Sequence, residues 1–98
     1  MKLRFSTSEL ERLWSDAAYA GSFDGKGVSA FRARIQLIED AEDERAFYSM
    51  KSLHFEKLKG KRDGQHSMRI NDQYRLIVEL EGKGPDKTVV IVEITDYH

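Results

Sequence analysis

The stretch Gln65-His66-Ser67-Met68-Arg69-Ile70-Asn71-Asp72-Gln73-Tyr74-Arg75-Leu76-Ile77-Val78-Glu79-Leu80-Glu81 decides the fold. Met68 and Ile70 flank Arg69, and Tyr74, Leu76, Val78 and Leu80 recur at every second position, the period of a half-buried strand. Two strands, Gln65–Ile70 and Gln73–Glu81, therefore read as a hairpin around Asn71-Asp72. For both apolar sets to share a face, directly opposed residues need an even pairing sum, such as 70 with 74 and 68 with 76. A strict two-residue Asn-Asp turn would scramble the faces, so the connection is expected to be three residues long or bulged. The same register sets Arg69 opposite Arg75 and Ser67 opposite Ile77 on the other face. Like charges directly opposed cost stability. Such a pair calls for an acidic neighbour or an anionic ligand. Glu93 has the parity to be that neighbour, and Tyr97 shares it. The rival reading is a phosphate-binding floor of Arg69 and Arg75, rimmed by Lys57, Lys59, Lys61 and Arg62.

Working outward, Thr88–Thr95 (TVVIVEIT) is a β-branched strand beyond the loop Gly82–Asp86. Upstream, Leu53–Leu58 reads as another strand, joined to the hairpin by the basic turn Lys59–Gly64. At the start of the chain Leu3 and Phe5 alternate with Lys2 and Arg4, a short opening strand. Ser6 with Glu9 three residues on reads as a capping box. Leu10, Leu13, Trp14, Ala17 and Ala18 follow at helical spacing, and Gly21–Gly27 reads as a flexible connector. Val28, Phe31, Ile35, Ile38 and Ala41 mark a second helix. Its acidic end, Glu39–Glu44, opposes the helix dipole and is expected to fray or to face a basic partner. Phe47–Met50 is an apolar bridge. The expected class is α+β: a short N-terminal strand and two helices packed on one face of a largely antiparallel four- to five-stranded sheet, forming a single domain over residues 1–98.

The 98 residues are 40% apolar and 34% charged, too apolar for disorder. No window approaches the roughly twenty uncharged residues of a membrane span, so no membrane partner is expected. The start, Met1 to Phe5, lacks the apolar run of a secretory signal, which points to the cytoplasm. Cysteine is absent, removing thiol nucleophiles and disulfides. Formal net charge is −1, yet residues 51–75 carry seven Lys/Arg against three acids. That local excess can act as a phosphate-attracting patch.

No cofactor or metal is expected. Histidines 54, 66 and 98 lack ligand spacing, the acidic run lacks the alternation of a calcium loop, and neither a P-loop nor a Gly-x-Ser-x-Gly elbow occurs. Acid–base chemistry beside fixed cations remains. The chain closes on Asp96-Tyr97-His98, a carboxylate, a phenol and an imidazole in succession. Internal RNA cleavage needs a group to take the 2′-OH proton, another to protonate the leaving 5′-oxygen, and cations over the phosphorane charge. A histidine can serve as either proton-transfer group near neutrality. His66 shares the parity of Met68 and reads as a core-edge residue.

Residues 55–76, with Leu-Lys-Gly at 58–60, Ser67-Met68-Arg69-Ile70-Asn71 and Gln73-Tyr74-Arg75, followed by terminal Asp96-Tyr97-His98, resemble the HigB branch of the RelE/ParE toxins. The resemblance implies a RelE/ParE-like fold. It implies the toxin of a type II toxin–antitoxin pair, encoded beside a helix-turn-helix, HigA-like antitoxin. It also implies an endoribonuclease that cuts mRNA in the ribosomal A site and so inhibits translation. Carried over by position, Asp96, Tyr97 and His98 fall on the catalytic terminus, Arg75 on the phosphate-facing arginine and Lys59 on a basic turn position. Some relatives place a catalytic histidine where this chain has Glu56, with His54 two residues earlier, so Glu56 and His54 are the candidate substitute bases. Such toxins are commonly basic, and this chain is not. The alternatives are a non-catalytic ParE-like toxin that binds a protein target such as gyrase, and a degenerate toxin that only binds its antitoxin.

Overall fold

The central hairpin pairs as its parity requires: Met68 opposes Leu76, Arg69 opposes Arg75 and Ser67 opposes Ile77. The structure, a computed structural model, describes residues 1–96. Its hairpin connection is the three residues Asn71, Asp72 and Gln73. The Ile70 amide donates to the Tyr74 carbonyl at 3.0 Å, and Asn71 Oδ1 accepts from the amides of Gln73 and Tyr74 at 2.9 and 2.8 Å. An asparagine side chain imitating a backbone turn thus supplies the odd residue that keeps both apolar sets on one face.

Among the described residues, strands β1 (Lys2–Phe5), β2 (Glu56–Lys57), β3 (Gln65–Arg69), β4 (Tyr74–Glu81) and β5 (Thr88–Asp96) form one sheet in the order β1-β5-β4-β3-β2. β1 runs parallel to β5, and the other neighbours are antiparallel. A bulge interrupts the β4–β5 ladder: Ile77 opposes Glu93, but Val78 opposes Ile91, leaving Val92 as the extra residue. Strict alternation along Thr88–Thr95 would put Val89, Ile91 and Glu93 on one face. The bulge turns the two hydrophobes to the core while Glu93 and Thr95 keep the face of Arg75.

Among the described residues the helices are α1 (Ser8–Ser15), α2 (Gly25–Asp40) and α3 (Arg45–Ser49), one more than the periodicity predicts. Thr7, not Ser6, caps α1, its Oγ1 accepting from the Leu10 amide at 3.2 Å. Ser6 is still engaged by the sheet: its amide donates to the Ile91 carbonyl and its hydroxyl to the Val92 carbonyl. The helix therefore starts one residue later, and it ends before Ala17 and Ala18. Arg32 of α2 donates to the carbonyls of Leu13, Asp16 and Tyr19, satisfying acceptors at the end of α1.

The glycine connector is shorter than expected, because Asp24 Oδ1 accepts from the Gly27 amide at 2.6 Å and draws Gly25 and Gly27 into α2. Gly27 also permits a close approach, since a Cβ there would lie 3.3 Å from Tyr74 Cε2. The predicted strand Leu53–Leu58 contracts to β2. Lys51–Leu53 forms a 3-10 turn, and His54 follows in the left-handed region at φ 47°, ψ 46°. This kink lets Leu53 and Phe55 both enter the core, which imitates strand periodicity in the sequence. Of the acidic run, Glu44 pairs with Lys87 and Asp43 with Arg45, two residues on.

Leu10 and Leu13 of α1 and Val28, Phe31, Ile35 and Ile38 of α2 pack with Phe47, Leu53, Phe55 and the sheet residues Met68, Leu76, Val78, Val89 and Ile91. Fully burying each large side chain is worth about 1.5–3 kcal/mol, so this one layer fixes the sheet against the helices and frees the opposite face for polar side chains. Among the described residues, no helix is long and apolar enough to cross a membrane.

Candidate nucleic-acid interface

On the face opposite the helices, the ladder sets Arg75 between Arg69 of β3 and Thr95 of β5. Arg75 is anchored. Its Nε donates to Ser67 Oγ, its Nη2 donates to the His54 carbonyl at 2.8 Å, and Glu56 lies 3.5 Å away. Ser67 is only 2% exposed, so this hydroxyl is a buried acceptor aimed at a guanidinium. Arg69 turns instead to Asp72 in the hairpin connection. The two opposed arginines have separate carboxylate partners.

Glu93 is not the shared counterion of that pair. The turn between β2 and β3, where Gly60–Arg62 forms a 3-10 turn, folds Arg62 over the sheet, and its guanidinium pairs with Glu93. Arg62 also donates to Gln65 Oε1 at 2.9 Å, and Gln65 Nε2 donates to Glu79 at 3.1 Å. A hydrogen-bonded layer thus runs across β3, β4 and β5 beside Ile77, which is 4% exposed on this face. Arg62 is therefore bound into the sheet surface, whereas Lys57, Lys59 and Lys61 are exposed.

Asp96 closes the described part of β5 opposite Tyr74, and Gln73 Nε2 donates to its carboxylate at 3.3 Å. Tyr97 and His98 lie outside the described residues. Glu56 joins the arginine cluster through Arg75, and His54 joins it through its main-chain carbonyl. His66 belongs to the other face, stacked on Phe55 with ring centroids 4.9 Å apart and planes 6° from parallel. Burial, and secondarily the charge of Lys57, hold its imidazole below the usual histidine value. Among the described residues no group of three His, Cys, Asp or Glu could hold a metal ion.

Ser67 is the functional residue that the sequence pattern alone does not single out. Its position opposite Ile77 is legible in the sequence, and the available signal is a small hydroxyl on the same face as two arginines. The assembled face offers one guanidinium pre-positioned by buried and main-chain acceptors, a second held only by an exposed acid, and three exposed lysines at the rim. Such a surface can take a phosphate or another oxyanion without first ordering its principal donor.

A family model for the RelE-like toxin of type II toxin–antitoxin system HigB matches residues 3–98. The chain belongs to the HigB-like toxins. Membership of a type II family implies an antitoxin partner. The fold of this HigB-like toxin is similar to that of the YoeB/ParE toxin from Agrobacterium tumefaciens, with a TM-score of 0.63 and 19% identity over 100% of both chains. It is also similar to YafQ from E. coli strain BL21(DE3), with a TM-score of 0.56 and 14% identity over 98% of this chain and 92% of that one. A search of curated proteins returned no match.

Proposed function

We propose that this HigB-like toxin is a ribosome-dependent mRNA endonuclease of the cytoplasm, held inactive by a helix-turn-helix, HigA-like antitoxin. The observation that carries the reading is the opposed pair Arg69 and Arg75 on the helix-free face, with Arg75 fixed by Ser67, the His54 carbonyl and Glu56. In this reading Arg75, with Arg69 beside it, holds the scissile phosphate and stabilises the charge that develops as the 2′-OH attacks. The exposed lysines 57, 59 and 61 guide the flanking backbone, while Arg62, tied to Glu93 and Gln65, adds its charge from the sheet surface. Asp96, Tyr97 and His98 supply proton transfer, His98 protonating the departing 5′-oxygen. Glu56, already beside Arg75, takes the 2′-OH proton, with His54 as the alternative base.

In vitro translation with primer extension on the mRNA tests the proposal. Wild-type protein should cut within translated codons. Removing one preorganised donor to a developing charge costs roughly 10²–10³ in rate and removing a general acid roughly 10²–10⁴, so Arg75→Ala and His98→Ala should each lose most cleavage. Undiminished cutting by either variant would remove that residue from the site. Intact mRNA with DNA damage in induced cells would replace the proposal with a gyrase-type, non-catalytic toxin.

A further inference from the structure

The hairpin connection gathers a third guanidinium that none of the roles above uses. Asn71 Oδ1 takes the Tyr74 amide at 2.8 Å, the donor that the Ile70 carbonyl would meet in an unbroken ladder. Arg34 of α2 reaches that carbonyl instead, its Nη2 donating at 3.2 Å. This bond fixes the guanidinium before any ligand arrives. Arg34 is half-buried, and its Nε is sealed from water without a hydrogen bond. Among the described residues no carboxylate pairs with it. Burial, and secondarily the charge of Arg69, hold its pKa below the usual guanidinium value. Arg69, whose side chain bends to Asp72 in the same connection, is thus near enough to repel it. A partly desolvated cation beside a like charge is costly unless an anion compensates it. The acid of the connection, Asp72, is turned to Arg69 and almost wholly exposed to solvent.

Position and charge select the occupant. Arg69 directly opposes Arg75, so an anion between Arg34 and Arg69 sits next to one held by Arg75. Two anions in succession, each met by a guanidinium, match neighbouring phosphates of one RNA strand. We propose that Arg34 holds the phosphate adjacent to the scissile one and shares Arg69 with it. The inference rests on the proposed function and adds a second backbone subsite to that face.

The probe is a short fluorescein-labelled RNA with 2′-O-methyl sugars, which cannot be cleaved, titrated by anisotropy across a salt series. Arg34→Gln removes the charge and keeps an amide donor for the Ile70 carbonyl. It should bind about tenfold more weakly, the share of one charge-assisted hydrogen bond. Its log Kd against log salt slope should be smaller by about 0.7, one phosphate contact on a single strand, while Arg34→Lys should keep the slope. Because the lost charge is one that Arg69 repels, Arg34→Gln should melt no lower than wild type. Single methylphosphonate linkages then locate the contact. Wild type should lose affinity at two neighbouring linkages, with Arg34→Gln insensitive to one and Arg75→Ala insensitive to the other. Unchanged affinity and slope in Arg34→Gln overturn the proposal and leave the role of Arg75 standing. A lower Tm with an unchanged slope also overturns it and marks Arg34 as a brace for the hairpin. So does a variant that stays sensitive at every linkage, or one whose defect is confined to antitoxin binding, which would assign Arg34 to a carboxylate of the protein partner. If wild type does not bind the RNA, or Arg75→Ala binds it equally well, the proposed phosphate site at Arg75 falls as well, so the two failures are told apart.

Discussion

Replacing Ser67 with alanine removes one oxygen atom, and its cost can be worked from the geometry. Ser67 is 2% exposed and its hydroxyl accepts from Arg75 Nε. The Arg75 side chain is 18% exposed, so water has little access to repair the loss. A hydrogen bond to a charged group contributes about 1.5–3 kcal/mol. The His54 carbonyl and Glu56 still hold the other end of the guanidinium, so we take about 2 kcal/mol. For a domain of this size that is a fall in Tm of roughly 8–16 °C. The Glu56 contact competes as an explanation, but that carboxylate is 61% exposed and sits 3.5 Å away. Exposed pairs contribute about 0–1 kcal/mol, so Glu56→Ala should destabilise less than Ser67→Ala. A urea-denaturation cycle of Ser67→Ala, Arg75→Ala and the double variant isolates the bond, with an expected coupling of about 1.5–2 kcal/mol. Additivity to within about 0.5 kcal/mol would refute the claim that a buried serine anchors Arg75.

Phe47→Ala, at a residue 0% exposed, should cost about 3–5 kcal/mol in urea denaturation and so show that the short α3 is an anchor of the core. Asp24→Ala should cost about 1 kcal/mol by loss of the α2 cap, and Asp24→Asn, which retains a capping oxygen, should recover most of it. The depressed pKa of His66 means that the unfolded chain binds its proton more readily than the folded one. Its contribution to stability is therefore full above about pH 6.5 and is lost as pH falls through the folded-state value; His66→Phe should flatten that part of the stability–pH curve. Hydrogen bonds from Arg45 hold the Asp43 carboxyl at about 2, and Arg45→Ala should return its titration, followed by NMR, toward 3.8.

Much of the sheet is legible in the sequence, because burial on one face leaves a strand little freedom of register. Met68, Ile70, Tyr74, Leu76 and Val78 can share a side only with an odd-length connection, and that demand predicts both the three-residue turn and the Arg69–Arg75 opposition. Where the pattern misleads, two structures share one periodicity. Leu53 and Phe55, two apart, look like strand residues but reach the core around a left-handed His54. Val89, Ile91 and Glu93 share parity in the sequence, and only the bulge at Val92 separates them in space. The start of α2 lies earlier than the apolar pattern predicts, because a good cap at Asp24 draws in glycines whose own helix propensity is poor.

The candidate site is legible in position and not in partnership. Parity tells which residues share a face, but long side chains choose partners several ångströms from their Cα atoms. Glu93 has the parity to serve Arg75, yet Arg62, arriving from a turn with no period of its own, takes it. The opposed arginines then resolve unequally. Arg75 turns to a serine sealed from water and to a main-chain carbonyl, acceptors that cannot move away. Arg69 turns to Asp72, whose side chain is 96% exposed, a pairing with little net energy to hold it. One guanidinium is locked while its opposite number can be redirected at small cost. An anion entering between them would find its first donor already placed and would displace only a solvent-exposed carboxylate from the second. Like-charge opposition that is costly in a purely structural sheet is here offset by separate partners, Ser67, the His54 carbonyl and Glu56 for Arg75 and Asp72 for Arg69, and in the proposed function that unequal resolution is what would let this face accept a phosphate.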